Sequence, residues 1–306
     1  MIVRTSVLGG VFGVLFLGQV CSQQVPSASC ELQTYAGKHM ATAFPYDLNA
    51  PSRSIPLPDI LREASGLAVS ADGRSLWVVQ DERGSLFSVS LDGASTVREF
   101  PFGEKGDYEG VEVADGQVFV VLSTGTLLQL EERQGVFRVK TAFDTFLNEE
   151  NNVEGLGYDP ARKLLLLACK GEAGKSGTGS GNKKAVYGFE VRSGRILAKP
   201  LLCVTGESLR QWTLQENLPQ ALDAWFNPSG IAVHPKTGEW YMLSARDGHL
   251  LRVAPKTGEV LGVVSIRKKV LEQPEGICFD ASGRLYLATE GKERSAQILV
   301  FEARPE

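Results

Sequence analysis

The sequence predicts an all-β fold, and three observations carry that prediction. One phrase recurs along the chain: a polar or acidic pair, a glycine, a short apolar run, a polar turn and a second, bulkier apolar run. The turns inside those phrases (ADGR, ADGQ, DPARK, HPKTGE, DASGR) are rich in Asp, Pro and Gly, the residues that close hairpins. Glycine is also abundant, 33 of 306 residues, as many tight turns between short strands require.

The copies begin at Glu63 (EASGLAVSADGRSLWVVQDERG), Asp107 (DYEGVEVADGQVFVVLSTG), Asn152 (NVEGLGYDPARKLLLLACKG), Asn227 (NPSGIAVHPKTGEWYMLSARDG) and Gln273 (QPEGICFDASGRLYLATEG). Their anchor glycines are Gly66, Gly110, Gly155, Gly230 and Gly276, so every interval but the third is about 45 residues. A period of that length with two to four short strands per unit is the signature of β-propeller blades. Five phrases predict five blades; a sixth requires a degenerate unit inside the long third interval.

Each element follows from its composition. The first strand of a unit is short and small (GLAVS, GVEVA, GIAVH), as suits the crowded axis. The second is bulkier (LWVVQ, VFVVL, KLLLLA, WYMLS, LYLAT), as suits a strand with neighbours on both faces. Trp77, Val79, Phe119, Val121, Leu165, Leu167, Tyr241 and Leu285 are therefore expected between blades. Third strands follow as SLFSVSL, TLLQLEE, AVYGFEV, HLLRVAP and QILVFEA. The last unit runs out at Arg304 with three strands, so residues 44–58 are expected to supply its outer strand and hide an exposed edge. The long interval holds a Gly/Ser/Lys-rich hairpin extension at 171–184. It also holds a segment at 207–225 where Leu209, Trp212, Leu218, Leu222 and Trp225 recur at helical spacing, which predicts a helical insert between blades three and four.

Residues 1–22 read as a signal peptide: Arg4 supplies the positive start, 7–17 is apolar, and a polar Ser/Gln stretch follows. The apolar run is too short to span a bilayer comfortably. Residues 23–43 read as a linker and 44–306 as the propeller domain. An uncleaved N-terminal anchor and lipidation at Cys21 are the competing readings, the latter although Gly18 and Val20 match a lipobox poorly. An exported chain, periplasmic, envelope-associated or secreted, with no transmembrane span after cleavage and a monomeric state, is the expectation. Cleavage leaves Cys30, Cys169, Cys203 and Cys278, whose spacing resembles no metal knuckle. Cys169 and Cys278 lie in apolar strands as small hydrophobes, and a structural disulfide stays open. Lys and Arg total 32 against 36 Asp and Glu, a formal charge of −4 that argues against nucleic acid as a partner.

The phrase LPDILREASGLAVSADGRSLWVVQDERGSLFSVSLDG from Leu57 resembles the SdiA-regulated (YjiK-like) family of bacterial envelope propellers. Glu63 with Ser65-Gly66, Trp77-Val78-Val79, Asp81-Glu82, Tyr108-Glu109-Gly110 and Val153-Glu154-Gly155 carry the resemblance. More distantly, the units are similar to NHL repeats and phytase-like propellers. The resemblance implies an exported or envelope-associated propeller and no particular reaction.

Propeller geometry brings two sets of loop residues to one face beside the central channel. One set precedes the anchor glycines (Ser65, Glu109, Glu154, Ser229, Glu275) and the other follows the second strands (Asp81, Ser123, Lys170, Arg246, Glu290). Glu109, Glu154 and Glu275 occupy equivalent positions, and three carboxylates around one axis repel unless compensated. Four solutions are open. The glutamates can hold a hard cation such as Ca²⁺, pair directly with Lys170 and Arg246, bond backbone N–H groups of neighbouring blades, or form a catalytic site. No G-x-S-x-G, H-E-x-x-H or P-loop pattern is present, and the stretch GKSGTGSG lacks the context of a phosphate loop. Of three histidines, His249 opens a third strand away from the axis and His234 lies in a turn on the opposite face, both expected as ordinary surface or strand residues. The expectation is a binding or scaffold module that recognises an envelope protein or small molecule at its acidic channel face. A Ca²⁺-dependent hydrolase of phosphoester or lactone type is the alternative.

Overall fold

The computed structural model describes residues 44–92, 96–174, 183–215, 226–267, 269–292 and 294–304. The segments read as a signal peptide and a linker, with Cys21 and Cys30, lie outside the described residues.

Five antiparallel sheets form five blades. Blade one is Ala64–Val69, Ser75–Gln80, Ser85–Ser90 and Val97–Pro101. Blade two is Tyr108–Ala114, Gln117–Leu122, Leu127–Arg133 and Val136–Phe143. Blade three is Val153–Asp159, Leu164–Cys169 and Lys183–Glu190, whose outer edge is shared by two short strands, Arg195–Ile196 and Leu202–Thr205. Blade four is Gly230–Val233, Trp240–Ser244, His249–Val253 and Val260–Ser265. Blade five is Pro274–Phe279, Leu285–Thr289 and Gln297–Phe301, completed by Arg53–Pro56 from the other end of the chain. No sixth sheet is present among the described residues.

The anchor glycines close the ring because they have no Cβ. A Cβ on Gly66 would lie 2.7 Å from the Gly110 Cα and the Val111 nitrogen. One on Gly110 would meet the Leu156 Cβ at 2.7 Å, one on Gly155 the Ile231 nitrogen at 3.0 Å, and one on Gly230 the Glu275 carbonyl at 2.6 Å. One on Gly276 would meet the Leu67 Cβ at 2.8 Å, which returns the circuit to blade one. Innermost strands this close leave no room for a side chain at the anchor position.

Five apolar clusters fill the five interfaces between blades. The second strand of blade three feeds two of them: Leu165 and Leu167 face blade two, Leu166 and Ala168 face blade four. Val79, Phe119, Val121, Leu165, Leu167, Tyr241 and Leu285 are all buried as expected. Trp77 is half-buried, its ring forming part of a cleft wall. His234 departs from expectation: it is buried, with its ring 5.1 Å from that of Phe279. Burial lowers its pKa, so it is held as a neutral core group.

The first and last described segments of the propeller are fastened together. Ile55 pairs with Ile298 in the closing strand. Tyr46 pairs with Ala303, and its hydroxyl donates to the Gly283 carbonyl at 2.6 Å. Tyr46 and Leu48 sit in the cluster of Tyr241, Leu299 and Phe301. The insert after blade three begins as the helix Gly206–Gln215, started by a reciprocal cap in which the Ser208 nitrogen donates to the Thr205 hydroxyl and the Thr205 nitrogen to the Ser208 hydroxyl. Residues 216–225 of the insert and 175–182 of the hairpin extension lie outside the described residues. Cys203 is disulfide-bonded, while Cys169 and Cys278 are free and buried. No described helix is long and apolar enough to cross a membrane.

Candidate functional site

A local irregularity aims the pre-glycine side chains. In blades one, two, three and five the register between first and second strands shifts across that residue, between Ala64 and Gly66, Tyr108 and Gly110, Val153 and Gly155, and Pro274 and Gly276. Ser65, Glu109, Glu154 and Glu275 are thus the extra residues of β-bulges, which leave the ladder and turn a side chain out of the pleat.

Serines and glutamates use this position differently. The Ser65 hydroxyl donates to the Tyr108 carbonyl at 2.6 Å, and the Ser229 hydroxyl to the Pro274 carbonyl at 3.3 Å. Both bonds cross to the next blade, so the serines stitch the ring. The glutamates make no such bond: Glu154 accepts from the side chains of Lys170 and Asn152, and Glu109 and Glu275 accept none among the described residues.

Instead, Glu109, Glu154 and Glu275 converge, with one carboxylate oxygen from each lying within 4.8 Å of the others. Oxygens that share one Ca²⁺ at about 2.4 Å can be at most about 4.8 Å apart, so this spacing suits a common hard cation. The space they enclose with Gly66, Gly110 and Gly155 is about 10 Å³, room for a single water or ion.

The charge balance is incomplete. Lys170 Nζ lies 2.8 Å from the Glu154 carboxylate and neutralises it. Burial works against the Lys170 ammonium, yet Glu154, Glu275 and Glu109 hold it protonated and raise its pKa. Burial, and then the neighbouring Glu154, pushes Glu109 up to about 9. Glu275 shifts upward through burial first, then Glu290 and Glu154. Glu154 also moves up through burial, against the pull of Lys170. Without a cation, the pocket keeps protons on carboxyl groups that water would ionise.

Asp81 and Glu290 are electrostatic neighbours of Glu275, and burial together with Glu290 pushes Asp81 up to about 7. One buried Asp81 oxygen has no hydrogen-bond partner. Arg246 has Lys184 as a charged neighbour, and Ser123 contributes backbone bonds to Asp107 and Val153. Sequence reasoning missed Asp107, whose charge acts on Asp81, Glu109 and Glu154, and Asn152, whose amide donates to Glu154 at 2.7 Å. Both occupy the position three before the anchor glycine, polar in all five units (Glu63, Asp107, Asn152, Asn227, Gln273), so a signal for them was present.

Residues 43–172 match the family model of the SdiA-regulated proteins, a stretch covering blades one and two and the first two strands of blade three. No curated protein matches the sequence. Among solved structures, the PQQ-bound aldose sugar dehydrogenase of Streptomyces coelicolor is 14% identical, with a TM-score of 0.51 over 83% of this chain and 97% of that one. The glutaminyl cyclase of Myxococcus xanthus is 16% identical, with a TM-score of 0.52 over 84% and 97%. A luciferin-regenerating enzyme is 10% identical, with a TM-score of 0.50 over 83% and 96%. At such identities the likeness is one of propeller fold.

Proposed function

We propose that the protein is an exported binding propeller that holds a divalent cation, Ca²⁺ as first candidate, on Glu109, Glu154 and Glu275. The cation then offers its open coordination positions to a carboxylate- or phosphate-bearing partner, a small molecule or an envelope protein, seated over the channel mouth. The observation that carries this reading is the convergence of three carboxylate oxygens within 4.8 Å, of which only Glu154 has a basic partner. Export is supported by the charged and apolar start of the chain and by the Cys203 disulfide, a bond that persists in oxidising compartments.

The test is metal analysis of purified protein dialysed against trace Ca²⁺ and Mg²⁺, followed by a screen of phosphoesters and lactones. About one ion per chain, lost in Glu109→Gln, is expected. Turnover that requires Ca²⁺ and disappears in the same variant would replace the binding reading with the hydrolase one.

A further inference from the structure

Away from the acidic mouth, a cleft of about 630 Å³ lies between blades one and two. It opens where the turns Ser70–Ser75 and Ala114–Gln117 meet, on the face opposite the three glutamates. Its volume falls within the range of small-molecule sites. One wall is aromatic: Trp77 packs edge-on against Phe137 at 5.4 Å, so the indole is held rigidly while remaining half-open to the cleft. The rest is hydrogen-bonding surface. Among the described residues, Ser88, opposite Trp77 in the ladder, has no hydrogen-bond partner for its hydroxyl, and neither does the Trp77 indole N–H. Gln129 is 9% exposed and donates an amide N–H to the Gln117 side-chain oxygen, which fixes both amides and leaves the Gln129 side-chain carbonyl and the Gln117 amide donors for a ligand.

We infer that this cleft binds a short neutral saccharide. A sugar ring carries an apolar C–H face that packs on an indole and a rim of hydroxyls that both donate and accept. The cleft supplies that pairing: a fixed aromatic wall beside neutral amide and hydroxyl groups whose capacity is unspent. A purely apolar ligand would strand the amides and Ser88 without partners. A strongly anionic one would face Asp72, Glu131 and Glu132 with Lys140 as the single cation lining the cleft.

Chitotriose, cellotriose and maltotriose are titrated separately into the mature full-length chain and followed by calorimetry and tryptophan emission. At least one is expected to bind and to shift the emission. Gln129→Ala and Ser88→Ala should each weaken that binding about tenfold, the worth of one lost hydrogen bond. Trp77→Phe should abolish the emission change, and a chelator should leave the affinity as it was. Binding by none of the three sugars, or binding that survives both Gln129→Ala and Ser88→Ala, would overturn the assignment.

Discussion

At the residue scale, one position in a repeated phrase does two jobs, and side-chain chemistry decides which. A serine before the anchor glycine reaches the next blade's carbonyl, as Ser65 reaches Tyr108. A glutamate there is longer, and its carboxyl lies with those of the other blades in the channel instead. The consequence is a pH dependence with a definite sign. Glu109 is held near 9, and Glu275 also lies above the ordinary carboxylate range, chiefly through burial. Across the interval from their unfolded values near 4.5 up to about 9, the native protein binds more protons than the unfolded chain, so stability falls as pH rises. Metal-free protein should therefore melt at progressively lower temperature from about pH 5 to pH 9. Glu109→Gln should flatten that slope in calorimetric scans. A melting temperature that climbs over this range would contradict the electrostatic account.

At the scale of the element, the anchor glycines are spacing devices, and the ring predicts which will resist substitution. A methyl group on Gly66 would meet the backbone of Gly110 and Val111 at 2.7 Å, neither of which can swing away. Gly66→Ala should cost about 1–3 kcal/mol by overpacking, read from denaturant unfolding. Gly262, on an outer strand of blade four, has nothing nearer than Phe44 at 3.7 Å, so Gly262→Ala should be close to neutral. Equal losses at the two positions would mean that the close approach of innermost strands is wrong. The elements were largely legible in the sequence, because turn residues and alternating bulk mark hairpins locally. Even the closing strand could be read, since the last unit lacked an outer partner and 44–58 was unused; it pairs as Arg53–Pro56. The fate of Trp77 and His234 was not legible. Whether a ring on a second strand is sealed or left beside a cleft depends on the neighbouring blade. Burial of His234 depends on Phe279, about 45 residues away in another sheet.

At the scale of the whole molecule, the five-fold ring converts a weak sequence signal into a site. Glu109, Glu154 and Glu275 belong to blades two, three and five, and nothing in their separate neighbourhoods reveals that their oxygens meet. Repeat equivalence made their common face legible. The sequence could not say that Lys170 would pair with Glu154, because that depends on side-chain reach across the mouth. Export belongs to this scale as well: intact-mass analysis of the secreted protein should find the first twenty or so residues removed, near Ser22. A chain still beginning at Met1 would remove that reading, and a lipid on Cys21 would make it membrane-anchored. The central claim is that one cation joins carboxylates from three blades, so it should stabilise the ring as a unit. The direct measurement is the melting temperature of chelator-treated protein with and without added Ca²⁺, for the wild type and for Glu109→Gln. At a hundredfold excess over the dissociation constant, the wild type should gain about 5–10 °C and the variant little or nothing. A wild-type melting temperature unmoved by Ca²⁺ and other divalent cations, or an equal gain in Glu109→Gln, would contradict the claim.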